Sequence, residues 1–100
     1  MSDTGREQSR LLNITVSSGT GTGAVVPIWA RSRWVRVIPV GESDTYTVTF
    51  RDADGDIMAK RTSQEGTLSE MLDLSLGILS SVLIESAAQD GTYKVKFDLH

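Results

Sequence analysis

Apolar and polar residues alternate along most of this chain with a period of two, the spacing of a β-strand with one buried face. Residues 45–50, T-Y-T-V-T-F, show it best: Tyr46, Val48 and Phe50 are expected inward and the three threonines outward. Residues 92–99 repeat the pattern, with Tyr93, Val95, Phe97 and Leu99 inward and Lys94, Lys96 and Asp98 outward. Residues 11–17 set Leu12, Ile14 and Val16 against Asn13, Thr15 and Ser17. In residues 33–40, Trp34, Arg36 and Ile38 oppose Val35 and Val37, and Trp34 is expected in the core. Pro39 has no N–H for a ladder, which predicts an edge position or a bulge there. Residues 57–62 read as a return strand with Ile57 and Ala59 inward. Residues 78–86 read as a strand with Ile78, Val82 and Ile84 on one face and Leu79 and Leu83 on the other. Residues 68–76 fit a short helical face or an irregular strand. Gly66 and Gly77 leave too little length for a stable helix, so an extended segment is expected.

Turn signals separate these runs about every ten residues. They fall at residues 41–44, at Asp54-Gly55, at residues 63–67 and at Asp90-Gly91. The pattern predicts an all-β chain: a single antiparallel β-sandwich, Ig-like or jelly-roll-like, of six or seven strands. No strand–helix alternation supports a parallel sheet. One hundred residues suffice for one domain. Residues 28–100 read as the sandwich. Residues 1–27 read as an extended N-terminal arm that includes a Gly/Ser/Thr-rich linker at residues 17–23, flexible by composition. After Met1 the first ten residues hold nothing apolar to bury and are expected to be disordered in isolation. Fully extended, the arm spans roughly 90 Å, enough to cross a neighbouring subunit. Residues 11–17 would then add a strand to that neighbour's sheet edge.

Charge divides the chain. Residues 1–36 carry five arginines against Asp3 and Glu7, whereas residues 37–100 carry five Lys/Arg against eleven Asp/Glu. Opposite-sign regions in a short chain point to a surface that meets a partner, a copy of itself included. The acidic body argues against direct nucleic-acid binding. With no cysteine, disulfides and thiolate metal sites are excluded. Apolar runs fall short of the ~20 residues of a membrane span, and the N-terminus lacks the apolar core of an export signal, so a non-exported, membrane-independent protein is expected.

Catalytic chemistry finds no constellation. His100 is the one histidine, and no serine sits in a nucleophile setting, so no enzyme, catalytic residue or cofactor is expected. Three alternate glycines in residues 19–23 look like a phosphate loop, but a β-branched run follows where a helix is required. Asp52, Asp54 and Asp56 could offer hard oxygens to calcium, yet Ile57 and Ser63 stand where the helix-loop-helix pattern needs Gly and Glu. A solvated acidic hairpin is the simpler reading, and no metal site is assigned. Residues 27–40 hold both tryptophans and three arginines. Trp29, Arg31 and Arg33 are candidate partner-binding residues, since Trp and Arg dominate interface hot spots. Leu12, Ile14 and Val16 of the arm join them as candidate contacts. Stacking of a saccharide on Trp29 is the alternative.

Read together, R-W-V-R-V-I-P-V, Y-T-V-T-F-R-D-A-D-G-D-I and I-L-S-S-V-L-I-E-S-A-A-Q-D-G-T-Y-K-V-K-F resemble small β-sandwich accessory virion proteins of tailed bacteriophages. The resemblance covers residues 33–99 and contains no diagnostic motif. It implies a capsid decoration or cement protein located in the virion and made in the host cytoplasm. Its expected partners are the major capsid protein or other virion subunits, and it is expected to be a homo-oligomer. A head–tail connector or tail-associated protein fits the same resemblance, and a carbohydrate-binding module is the alternative from another class.

Overall fold

The computed structural model describes residues 9–26 and 30–99. Eight strands follow in order: β1 (Ser9–Val16), β2 (Gly21–Ala24), β3 (Arg31–Ile38), β4 (Thr45–Asp52), β5 (Ile57–Glu65), β6 (Leu68–Ser75), β7 (Leu79–Glu85) and β8 (Gly91–Leu99). They form two four-stranded antiparallel sheets, ordered β1-β8-β3-β6 and β2-β7-β4-β5. β1 pairs with β8, β2 with β7, β3 with β6 and β4 with β5. The chain is therefore one long hairpin, bent at residues 52–56 and rolled into two sheets. This is a jelly roll of eight strands, where six or seven were expected. Of residues 68–76, expected to be extended, residues 68–75 are so and form edge strand β6, while Leu76 begins the following turn.

The core lies between the sheets. Tyr46, Val48 and Phe50 of β4 and Tyr93, Val95 and Phe97 of β8 are all buried. Their rings meet edge to face, Tyr46 on Tyr93 at 5.4 Å and Phe50 on Phe97 at 6.3 Å between centroids. Each such side chain contributes about 1.5–3 kcal/mol by leaving water. The Tyr46 hydroxyl stays satisfied in the interior, within hydrogen-bond reach of Gly66 O at 2.7 Å and Val37 O at 3.3 Å.

Local breaks in register correct the alternation at several points. β3 shifts between Ser32 and Trp34, so Ser32, Val35 and Val37 are buried. Trp34, expected in the core, stands on the outer face and is 37% exposed. β3 lies between β8 and β6 rather than at an edge, and Pro39 is buried just past its end. A shift between Phe50 and Arg51 leaves Ile57 exposed and turns Met58 and Ala59 toward the core. A further shift between Arg51 and Asp52 buries Leu79 and exposes Ile78. Thr47 and Thr49, expected outward, are buried because β4 is an inner strand, with Thr49 in register between Lys60 and Leu83.

The largest correction concerns the arm. β1 pairs with this chain's own β8 through eight residues, and β2 pairs with β7, so residues 9–24 belong to the sandwich. The expected linker is a tight turn: Ser17 and Thr20 exchange two backbone hydrogen bonds, at 3.0 and 3.2 Å. Ser18 (φ 55) and Gly19 (φ 80) at its centre are both left-handed, as a type I′ turn requires. The Asp90 carboxylate accepts from the N–H groups of Ser18 and Gly19, each at 2.9 Å, which locks the turn. Those bonds, Gly19's foremost, hold the Asp90 carboxyl below the usual carboxylate range. Gly21 and Gly23 serve packing. A Cβ on Gly21 would lie 2.4 Å from Thr15 O, and one on Gly23 would lie 2.8 Å from Ile14 Cγ1. The expectations for residues 1–8, and for Trp29 and His100, lie outside the described residues.

Candidate interaction surface

The outer face of the β1-β8-β3-β6 sheet carries a band of cationic and apolar side chains. Register places Met71, Trp34 and Asp98 in one row, and Ser69, Arg36, Lys96 and Leu11 in the next. Ile38, Lys94 and Asn13 form a third. Trp34 shares the outer face with Arg36, opposite buried Val35 and Val37, and its Nε1 donates to Ser69 Oγ at 2.7 Å, which ties the indole across to β6. Met71 is 66% and Leu11 52% exposed. Arg36 and Lys96 stand directly opposite each other, a like-charge pair that costs stability in an antiparallel ladder. Lys94 lies two residues along the same strand face. Among the described residues no carboxylate reaches Arg36, Lys94 or Lys96 to form an ion pair.

At one end of this band, Arg31 Nε donates to Asp73 Oδ1 at 2.9 Å across β3 and β6. Arg31, Ser32, Arg33, Met71 and Asp73 line an open cavity of about 380 Å³. The hydrogen bond from Arg31 holds the Asp73 carboxyl below its ordinary range, with the charges of Arg31 and Arg33 adding to it. Asp73 in turn raises Arg31, so both groups stay ionised across ordinary pH.

Of the residues expected to bind a partner, Arg31 and Arg33 are exposed and share this cavity. Ile14 and Val16 are core, 1% and 2% exposed, and are not available to a partner, because β1 is an integral strand of the sandwich. Leu12 is half-buried against the same core. Trp29 lies outside the described residues. Arg36 belongs to the arginine-rich stretch at residues 27–40, whereas Lys94, Lys96 and Met71 were not singled out by the sequence. Alternation placed Lys94 and Lys96 outward, but only the β3–β8 register brings Arg36 beside them.

A second charged feature is the β4–β5 turn. Carboxylate oxygens of Asp52, Asp54 and Asp56 lie within 4.8 Å of one another. Asp52 Oδ1 accepts the N–H groups of Asp54 and Asp56, both at 2.9 Å, and Arg51 Nη1 donates to Gly55 O at 3.3 Å. Asp52 therefore shapes the turn, while Asp54 and Asp56 are exposed at its tip. A cavity of about 380 Å³ beside the tip is lined by Val25, Asp52, Ala53, Asp54 and residues 77–80. Of this lining Ile78 is exposed, as is Ile57, which follows Asp56 in the chain.

No protein-family model and no curated protein sequence matches the chain. Among solved structures it is similar to the C-terminal CBM6 of LamC, a marine laminarinase from Zobellia galactanivorans. That likeness has 10% identity and a TM-score of 0.46, over 89% of this chain and 99% of that one. It is also similar to infectious bursal disease virus VP2 from a subviral particle, with 12% identity and a TM-score of 0.36, over 91% of this chain and 33% of that one. A third likeness is to the enzymatically active domain of bacteriophage CBA120 tailspike protein 4, with 10% identity and a TM-score of 0.37, over 99% of this chain and 16% of that one. The chain thus spans a third or less of the two viral proteins. Likenesses at this level do not extend to function.

Proposed function

We propose that this chain is a non-enzymatic structural protein of a tailed-phage virion, a decoration or cement protein that binds across neighbouring capsid subunits. A position at the head–tail junction or on the tail is the alternative within the same class. The observation that supports this best is the outer face of the β1-β8-β3-β6 sheet. Trp34, Met71 and Leu11 stand exposed there among Arg36, Lys94 and Lys96. Aromatic, Met and Arg side chains are enriched where proteins meet. The test uses particles of the virus that encodes the chain, purified with and without its coding sequence. The chain is expected in wild-type particles at a fixed copy number, and particles lacking it should open at lower temperature. Its absence from purified wild-type particles overturns the reading.

A second reading, a carbohydrate-binding module, is favoured by Trp34 itself. Its indole is held by Ser69 on an open sheet face beside the Arg31–Asp73 cavity, which offers stacking next to polar groups. This reading expects saccharides to quench tryptophan fluorescence, and the response to vanish in a folded Trp34→Ala variant. A panel of neutral and acidic saccharides that leaves the emission unchanged removes it.

A further inference from the structure

The molecule carries two self-repelling charge clusters of opposite sign. On the outer face of the β1-β8-β3-β6 sheet, Arg36 and Lys96 oppose each other across the ladder, with Lys94 two residues to one side of Lys96 and Asp98 two residues to the other. Among the described residues nothing anionic offsets them in an ion pair. At the β4–β5 tip, the carboxylates of Asp52, Asp54 and Asp56 lie within 4.8 Å of one another. The turn is held rigid from within by Asp52 and Arg51. Neither Asp54 nor Asp56 has an ion-pair partner among the described residues. Like charges directly opposite in a sheet are unfavourable, and crowded carboxylates likewise, so each cluster is relieved by the other's chemistry.

Polarity matches as well as sign. Each cluster has an apolar border: Ile57 and Ile78 beside the tip, and Leu11, Trp34 and Met71 around the cations, all exposed. We infer that the acidic β4–β5 tip of one copy docks on the cationic Arg36–Lys94–Lys96 face of a second copy of this chain. Such a contact is heterologous, because tip and face are different surfaces of the same molecule. It therefore builds a ring or an open row of copies rather than a closed two-fold pair. The inference deepens the assembly reading, on which it rests, by naming the partner as the chain itself.

The test is light scattering on the purified full chain across a concentration series, at low salt and in about 1 M NaCl, where charges are screened beyond ~3 Å. The expected result is association at low salt that is lost at high salt. Arg36→Glu with Lys96→Glu, and separately Asp54→Lys with Asp56→Lys, should each weaken association by about tenfold or more. Mixing the two variants should restore a mixed complex, which also shows that both are folded. A monomer under all conditions overturns the inference, as does association that survives both double variants. Association abolished by a chelator rather than by salt also overturns it, because bridging cations would then hold the tips. A chain that is monomeric when pure yet present in particles leaves the assembly reading standing. A chain that self-associates yet is missing from particles removes that reading alone.

Discussion

On the β5/β6 flank of the sandwich an ion pair joins the two sheets. Arg61 of β5 donates through Nε and Nη2 to Oε1 and Oε2 of Glu70 on β6, both at 2.7 Å. The Tyr46 hydroxyl reaches the β5–β6 turn at Gly66 O and the end of β3 at Val37 O. On the β1/β2 flank the sheets meet through glycine. Gly21 and Gly23 lie so close to Thr15, Ile14 and Leu12 that a Cβ would collide. One flank depends on paired polar groups and tolerates adjustment of long side chains. The other depends on the absence of side chains and has almost no slack. Polar fastening responds to pH, whereas steric fit responds to volume.

Five substitutions sharpen that contrast. Phe97→Ala, in the core that both flanks share, sets the scale at about 3–5 kcal/mol of unfolding free energy by denaturant titration. A cost below about 1 kcal/mol would place β8 in the wrong register. Gly21→Ala should cost about 2–3 kcal/mol, because its Cβ would meet the Thr15 carbonyl, a backbone atom that cannot rotate away. Gly23→Ala should cost less, since the side chains of Ile14 and Leu12 can shift. If both glycines accept alanine without loss, the flanks do not differ in the way described.

Much of this division was legible in the sequence, and its causes were not. The strict alternation of β4 and β8 gave their inward residues directly, because neither strand changes parity between Tyr46 and Phe50 or between Tyr93 and Phe97. The shift between Ser32 and Trp34 was invisible, since a bulge is set by pairing with β6 and β8, which composition does not encode. It changes the parity of Ser32 relative to Val35, whereas Trp34 keeps the parity that alternation gave it, on the face of Arg36 and opposite Val35 and Val37, and that face is the outer one. Residues 17–23 misled for a related reason. Glycine next to serine and threonine reads as slack chain, yet the same residues are demanded where two sheets press backbone against side chain.

Smaller effects are expected on the polar flank. Tyr46→Phe removes a hydroxyl whose one proton donates to Gly66 O at 2.7 Å, with Val37 O within reach at 3.3 Å, and should cost about 1–2 kcal/mol by thermal or chemical unfolding. Burial pushes the Tyr46 hydroxyl from 10.0 up to about 12. Because the folded value is the higher one, its contribution is complete below pH 10.0 and is lost as pH rises toward 12. An alkaline unfolding midpoint that is unchanged in Tyr46→Phe would contradict this. Least of all, Arg61→Met should cost below about 1 kcal/mol, since the pair is about one-third exposed. The hydrogen bond from Arg61 holds Glu70 below its ordinary 4.5. The contribution of the pair is therefore present above pH 4.5 and fades as pH falls through the folded value of Glu70. The wild type and Arg61→Met should thus converge in stability in acid, and a gap that persists there would assign Arg61 a role in packing.

Pairing of the first strand with the last has a mechanical consequence. Ser9 lies opposite Asp98, so the chain enters and leaves the sandwich side by side at one end of the β1–β8 ladder. Tension applied through those two points would part the ladder one residue pair at a time, like a zipper, instead of shearing all eight pairs together. A molecule tethered by its ends would yield at low force. Load borne by this protein would have to pass through its faces.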